Sequence, residues 1–209
     1  MSGRELLDNP ERQRELDLFV GVLGSIVENR DAVYLSGPLT TGPRFLRWYT
    51  SRGRMLESDP PRYESAHRAE VIQPNVAMIR SLAHRLRQAK GWQVIEPTAF
   101  EVPQWSQEDY RYFWGRVIER YACRVVFVDG WEYSKGACYE FLVAVGRALE
   151  TLSQEGTPIT LAQARARIDA AVREMHELGV HPGFNGGILT ALDRLAEATE
   201  PAGRSVPGC

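Results

Sequence analysis

The stretch RVVFVDGWEYSKGACYEFLVAVGRAL, residues 124–149, decides the fold of this chain. Its apolar residues 125–128, followed by Asp129, are typical of a buried parallel strand that ends in a carboxylate. Gly130 and Gly136 enclose a polar loop, and the apolar residues after it recur with the period of an amphipathic helix: Phe141, Leu142, Val145 and Leu149. Strand, loop and helix form half of a βαβ unit, which predicts an α/β domain with a parallel sheet.

Two carboxylates border this loop. In open α/β sheets ligands bind just beyond the carboxyl ends of the strands, where Asp129 and the loop are expected. Glu140 is predicted to lie in the first helical turn, where the helix dipole favours the ionised carboxylate by roughly 0.3 to 1 kcal/mol. An ionised Glu140 is a nucleophile, and paired carboxylates in one cleft are what glycosidic chemistry uses. The same spacing fits a simpler alternative, in which Glu140 is only a favourable first-turn acid and Asp129 caps the strand.

Together with YLSGPLT at residues 34–40, this stretch resembles the nucleoside 2-deoxyribosyltransferase superfamily, including its 2'-deoxynucleoside 5'-monophosphate N-hydrolase branch. In that family a tyrosine stands three residues before a glycine at the end of the first strand, as Tyr34 and Gly37 do here. The family's nucleophile is a glutamate in a helix start rich in small residues, which Glu140 in GACYEF matches. The resemblance covers residues 33–149.

The resemblance implies roles for further residues. Monophosphate hydrolases carry a phosphate-contacting serine six residues before the nucleophile, the place of Ser134, although a plain helix cap is the alternative for this residue. Many transferases have an aspartate about eleven residues before the nucleophile that helps to hold the substrate, as Asp129 does here. An acid or amide on the preceding helix reaches the sugar in related enzymes, which makes Asp109 a candidate. The remaining pocket would be formed by Tyr34, Gly37, Pro38 and Gly136.

Composition limits the classes of protein. A chain of 209 residues with 44% hydrophobic residues suits one domain with additions, and a formal net charge of −2 with a pI of about 6.1 argues against a polymeric nucleic-acid or anionic membrane partner. Cys123, Cys138 and Cys209 lack metal-ligand spacing, and their odd number argues against a disulfide framework. The apolar run at residues 19–27 is too short to cross a membrane. We therefore expect a cytoplasmic protein without a metal or another cofactor.

Periodicity and capping signals divide the rest of the chain. Helices are expected from Pro10 to Asn29, from Pro74 to the stop at Gly91, and from Ser106 to about residue 121. Strands are expected at residues 32–36 and 92–95. The aromatic stripe of the third helix favours a core role over a base-stacking platform. Residues 1–150 form the predicted α/β domain, residues 151–200 a helical extension that starts with a Thr160–Gln163 capping box, and residues 201–209 a disordered tail.

Residues 42–73 are an arginine-rich insertion without a clear period. Six arginines alternate with aromatic residues and face four acids, which leaves an excess of two positive charges: Arg44, Arg47, Arg52, Arg54, Arg62 and Arg68. Arginine forks suit phosphate and aromatic rings suit a base, so a lid that binds substrate, with Arg44 among its contacts, is one hypothesis. The alternative is a solvated, partly disordered loop.

These observations favour a flavodoxin-like or Rossmann-like parallel sheet flanked by helices, with an arginine-rich insertion and a helical C-terminal extension. The predicted function is hydrolysis of the N-glycosidic bond of a nucleoside 5'-monophosphate, with Glu140 as nucleophile and Asp129 positioning the sugar or moving a proton. Base exchange by a deoxyribosyltransferase and a non-catalytic nucleotide sensor are the alternatives. The ligand would be a small nucleotide or nucleoside, and a homodimer is expected from the resemblance, since related enzymes share residues across subunits.

Overall fold

A computed structural model describes residues 9–27, 31–180 and 187–199 of the protein. Its centre is a sheet of four parallel strands in the order β2-β1-β3-β4, which confirms the predicted α/β class and is consistent with a flavodoxin-like or Rossmann-like fold. The strands are β1 (Ala32–Ser36), β2 (Val94–Ile95), β3 (Ala122–Phe127) and β4 (Glu150–Ser153).

The helices begin and end largely at the residues that their capping signals indicate. Asn9 caps the first helix, capping boxes start those after Ser106 and Thr160, and Gly91 ends the fourth helix in the left-handed conformation with φ 64°. The helices are α1 (Pro10–Gly24), α2 (Pro43–Ser51), α3 (Pro60–His67), α4 (Gln73–Lys90), α5 (Gln107–Tyr121), α6 (Lys135–Gly146), α7 (Leu161–Glu177) and α8 (Gly187–Thr199). No helix in the described ranges is long and apolar enough to cross a membrane.

Side chains of β1 alternate between two hydrophobic layers. Val33 and Leu35 pack in a cluster with Ile79 of α4, whereas Tyr34 packs on the other face with residues of α5 and α6. Because the side-chain period of a strand is two, Ser36 shares the face of Tyr34. This alternation aims two hydroxyl groups of one strand at helix α6.

The boundary predicted at residue 150 does not hold. Strand β4 pairs in parallel with β3, so the four residues Glu150–Ser153 extend the sheet and do not begin a helical extension. Helix α8 also belongs to the main body, since Leu192 is 1% exposed within the same hydrophobic cluster as Phe141. The strand was missed because ETLS is short and only Leu152 is buried. The predicted tail at residues 201–209 lies outside the described residues, as do residues 28–30, where the first helix was expected to end.

The insertion at residues 42–73 is helical, so the prediction of an irregular loop is wrong. It contains α2, a 3-10 helix (Gly53–Leu56), α3 and a π-helical turn (Arg68–Ile72) that runs directly into α4. Its core is a small cluster of Trp48, Leu56 and Val71, one residue from each of three elements. No single element shows enough apolar residues for a period to be visible in the sequence, and the cluster forms only when they fold together.

Candidate functional site

A cavity of about 370 Å³ opens beyond the carboxyl ends of β1, β2 and β3. This is the edge of a parallel sheet where ligands bind in open α/β folds. The walls come from the segments after these three strands, from the start of α5 and from the π-helical turn. They comprise Gly37, Leu39, Thr40, Thr41, Arg68, Ile72, Val76, Pro97, Thr98, Phe100, Glu101, Gln107, Tyr110, Arg111, Trp114, Ser134, Lys135, Gly136, Ala137 and Glu140. We call this cavity the cleft.

Glu140 lines the cleft and receives a hydrogen bond on each carboxylate oxygen. The Tyr34 hydroxyl donates to Oε1 at 2.8 Å, and the Ser36 hydroxyl donates to Oε2 at 2.6 Å. Both donors are fully buried at the end of β1. The carboxylate is therefore fixed in position by two neutral groups from one strand.

Helix α6 begins at Lys135, two residues before the predicted start, because Ser134 is its N-cap. Glu140 consequently lies in the second turn, and the expectation that the helix dipole favours its ionised form is wrong. Burial instead raises the pKa of Glu140 to about 7, and the hydrogen bonds from Ser36 and Tyr34 oppose that rise. At neutral pH the carboxyl group is present in both protonation states, which suits a group that acts as nucleophile or as general acid and base.

Tyr34 is built to remain a neutral donor. Burial, followed by the neighbouring Glu140, raises the pKa of its hydroxyl well above the ordinary value. Its ring lies 5.8 Å from that of Trp114, which lines the cleft. Tyr34 therefore contributes its hydroxyl to the site, while its ring packs in the core.

Ser134 and Gly136, at the start of helix α6, both lie in the cleft wall, as predicted. The Ser134 hydroxyl accepts the Ala137 N–H at 3.3 Å, so the capping role considered as the alternative is present. Within the described residues, the N–H groups of Lys135 and Gly136 have no protein acceptor. They are the free donors of a helix N-terminus, which suit an anion.

Gly37 also lines the cleft, and it lies where β1 and the end of β3 approach closely. A Cβ on Gly37 would lie 2.9 Å from the Cβ of Val128, which is too close for any other residue without a shift of the chain. Pro38 is buried but does not line the cleft; its ring packs against the turn at Gly42 and Gly130. Its contribution is to the shape of the loop, not to the wall.

Asp129 is not brought to the cleft. It is exposed, and its carboxylate accepts a hydrogen bond from the Gln154 amide at 2.6 Å. Gly130 turns the chain with φ 84° into a 3-10 helix (Trp131–Tyr133), so the backbone enters the cleft wall only at Ser134. The prediction that Asp129 and Glu140 act as a pair is therefore not supported by the geometry.

Asp109 and Arg44 are likewise used elsewhere. Asp109 receives two hydrogen bonds from the Arg12 guanidinium, at 3.0 and 2.9 Å, and completes the capping box with Ser106. The bond from Arg12 is the largest cause that keeps the pKa of Asp109 below its ordinary value. Arg44 donates to the Asn75 side chain at 3.2 Å and does not line the cleft. Of the six arginines in the insertion, Arg68 is the one that lines it.

Several residues of the cleft were not predicted as site residues. Ser36 was quoted in the motif without a role, although a polar residue at the end of a buried strand is a usable signal. Three cations line the cleft, namely Arg68, Arg111 and Lys135, together with Glu101, which lies 3.7 Å from Arg68 across exposed side chains. Arg68 and Glu101 are 33 residues apart in the chain, so no local pattern links them.

Three aromatic residues also line the cleft, namely Phe100, Tyr110 and Trp114. Phe100 packs edge to face against Trp114 with ring centroids 5.8 Å apart, and the Tyr110 hydroxyl is bonded to the backbone of Val102. Phe113, which precedes Trp114 on α5, is fully buried. The predicted core role of the stripe on α5 is thus correct for Phe113 and Trp114, while Tyr110 and Trp114 also line the cleft.

Over the ranges that the structure describes, no group of three or more His, Cys, Asp or Glu side chains is arranged to hold a metal ion. No protein-family model, curated protein or solved structure matches this chain, so the resemblance to the deoxyribosyltransferase superfamily stays a prediction carried by the residues themselves.

Proposed function

We propose that this protein hydrolyses the N-glycosidic bond of a nucleoside 5'-monophosphate and releases the free base and a sugar phosphate. The observation that carries the proposal is the Glu140 carboxylate, fixed in the cleft by two buried hydroxyls and with its pKa raised to about 7. A carboxyl group in a cleft whose pKa is strongly raised by burial is a candidate functional group.

In the proposed reaction, an oxygen of ionised Glu140 attacks C1' while the C1'–N bond breaks and its electron pair leaves with the base. Water then attacks C1' of the glycosyl ester, and the C1'–O bond to Glu140 breaks to return the carboxylate. The proton that the water loses goes to the departed base, which completes hydrolysis. Asp129 has no part in this scheme, because it is outside the cleft. Among the described residues, Glu101 is the other carboxylate in the cleft wall, but its side chain is 77% exposed and lies 3.7 Å from Arg68, so the base takes its proton from water in this scheme.

The other walls suit the two ends of a nucleotide. Aromatic rings of Phe100, Tyr110 and Trp114 offer faces for a base. The free N–H groups of Lys135 and Gly136, with the cations Arg68 and Arg111, offer charge-assisted hydrogen bonds to a phosphate. In the proposed complex the sugar lies next to Glu140, which lines the same cleft.

The experiment is incubation with a panel of nucleoside 5'-monophosphates and matched nucleosides, with and without a second free base. Released base supports hydrolysis. Base exchange, which shares the first step but uses a base in place of water, would point to the transferase alternative. Binding without turnover would identify a sensor and would overturn the proposal. The Glu140→Gln variant is the control for a contaminating hydrolase, since it is nearly isosteric.

We propose a cytoplasmic location and a homodimer as well. Cys123 and Cys138 are both free, which suits a reducing compartment. The dimer is proposed from the resemblance alone, and sedimentation at several concentrations tests it directly.

A further inference from the structure

Ser36 is a buried polar residue whose hydroxyl has an unusual use in this chain. Among the described residues, three polar or charged side chains are buried: Ser36, Asn75 and Asp109. The side chain of Asn75 bonds backbone carbonyls and Arg44. The Asp109 carboxylate accepts hydrogen bonds from Arg12 and from the Ser106 N–H at the helix start. These two are explained as structural groups. The Ser36 hydroxyl is given to the Glu140 carboxylate.

The geometry of this contact is that of a charge-assisted bond. Its length of 2.6 Å falls in the range of roughly 2.5 to 2.7 Å found for a hydroxyl that donates to an ionised carboxylate. Ser36 lies at the last position of β1, where the main chain is paired with β3: its carbonyl accepts the Val128 N–H at 2.8 Å. The hydroxyl is therefore presented from a rigid strand, which is the arrangement that fixes a partner most accurately.

We propose that Ser36 is a positioning residue for the proposed reaction, which aims the Glu140 carboxylate into the cleft and keeps enough of it anionic at neutral pH to attack. Tyr34 holds the other oxygen, so removing either hydroxyl frees the carboxylate to rotate. Burial opposes the charge on Glu140, and the two hydroxyls are the groups that counteract it. The kinetic part of this inference rests on the proposed function, whereas its electrostatic part does not.

The other titratable groups around Glu140 leave this role to the hydroxyls. Tyr34 on β1 and Cys138 on α6 both have pKa values raised well above the ordinary range by burial, so they are neutral near pH 7. The charged side chains that share the cleft come from four elements or segments: Arg68, Glu101, Arg111 and Lys135. Among the described contacts, none of these four hydrogen-bonds Glu140.

The first test reads the pKa of Glu140 in the Ser36→Ala variant. Losing a charge-assisted hydrogen bond should raise that pKa by about one unit or more. The readout is the pH dependence of unfolding, taken as the difference from the same serine variant carrying Glu140→Gln, or the carbon chemical shift of the Glu140 carboxyl. Tyr34→Phe should move the pKa in the same direction. Thr151→Val on β4 is the matched control. The Thr151 hydroxyl donates to the Ile159 carbonyl, so its removal should leave the pKa of Glu140 unchanged.

The second test is the pH–rate profile of base release. Ser36→Ala should lose about fivefold to tenfold in rate at pH 7 through reduced ionisation and recover most of this above pH 9, because alkali restores the anion. Ser36→Thr, which keeps the hydroxyl, should retain the wild-type profile. A role in packing alone would lower the melting temperature and leave both the pKa and the profile in place. That result, or an unchanged pKa because water replaces the hydroxyl, would overturn the inference.

The two proposals fail separately. If the protein releases no base, the proposed function is wrong, yet the pKa shift in the free protein still tests what Ser36 does to Glu140. If base is released and the shift is absent, the function stands and the role of Ser36 is wrong. Should Ser36→Ala not fold, Ser36→Cys keeps the shape with a weaker donor and should give a smaller shift of the same sign.

Discussion

Two carboxylates on neighbouring helices, Glu140 on α6 and Asp109 on α5, meet opposite surroundings. Glu140 is held by two neutral hydroxyls, and burial raises its pKa to about 7. Asp109 is held by the Arg12 guanidinium, which is the largest cause that lowers its pKa. Both were predicted as site residues, but only the carboxylate without a cation lines the cleft. A buried acid remains available for chemistry when its partners stabilise it without neutralising its charge.

The largest expected effect comes from replacing Glu140, the carboxylate that lines the cleft. Glu140→Gln should lower base release by about three orders of magnitude or more, because removal of a nucleophile leaves only binding and electrostatic contributions. Steady-state rates on the best monophosphate measure this, and circular dichroism confirms that the fold is kept. Activity within tenfold of wild type would remove Glu140 from the mechanism.

The next effect is on stability and comes from replacing Asp109, the carboxylate that pairs with Arg12. Asp109→Asn should lower the free energy of unfolding by about 2 kcal/mol, because it removes the buried partner of Arg12 and leaves this arginine with only the exposed Glu15. Activity per folded molecule should remain near wild type. The measurement is urea unfolding at pH 7. Glu15→Gln is the matched control, since it removes an exposed partner of the same arginine and should cost less than about 1 kcal/mol.

Acid should weaken the Asp109 pair in wild type. Because the folded pKa of Asp109 is below its unfolded value, the pair stabilises the protein above about pH 4 and loses this contribution as pH falls through the folded pKa. The difference between wild type and Asp109→Asn should therefore shrink in acid. A constant difference down to pH 2 would contradict the assignment of the stability to the ionised carboxylate.

A third prediction concerns stability and Glu140, with the opposite sign. Its folded pKa of about 7 exceeds the ordinary value of 4.5, so the folded state binds the extra proton and wild-type stability falls as pH rises through this window. Glu140→Gln should accordingly be more stable than wild type at pH 8, by up to about 3 kcal/mol, and similar near pH 4. Melting temperatures across this pH range test the prediction. A variant no more stable than wild type at pH 8 would show that ionised Glu140 does not destabilise the folded protein.

The smallest expected effect tests whether Ser134 only caps helix α6 or also contacts a phosphate. As the N-cap of α6, Ser134→Ala should cost about 1 kcal/mol of stability. If its hydroxyl also contacts a phosphate, turnover of the monophosphate should fall by about tenfold while the nucleoside is scarcely affected. Thr160→Ala, which removes the cap of α7 away from the cleft, is the control. Equal loss on both substrates would leave Ser134 with a structural role alone.

Local patterns were sufficient for much of the fold. Apolar residues 125–128 and the helical spacing after Gly136 predicted a strand, a loop and a helix, and all three are present. The helix start predicted at Ser106 and the one predicted by the Thr160–Gln163 capping box are each within a residue of the observed start. These signals are readable because they depend on backbone geometry and on neighbours within one or two turns. The insertion at residues 42–73 was not readable, since its short helices are stabilised by a cluster drawn from several elements.

The sequence by itself determined that Glu140 follows a strand, a loop and a helix start at the ligand-binding edge of a parallel sheet. Tertiary structure alone decided what this carboxylate is. Its two donors, Tyr34 and Ser36, are 106 and 104 residues away, and Arg12, which makes Asp109 structural, is 97 residues from it. Desolvation and hydrogen bonding act through space, so residues far apart in the chain set whether an acid is reactive, and no spacing along the chain records them.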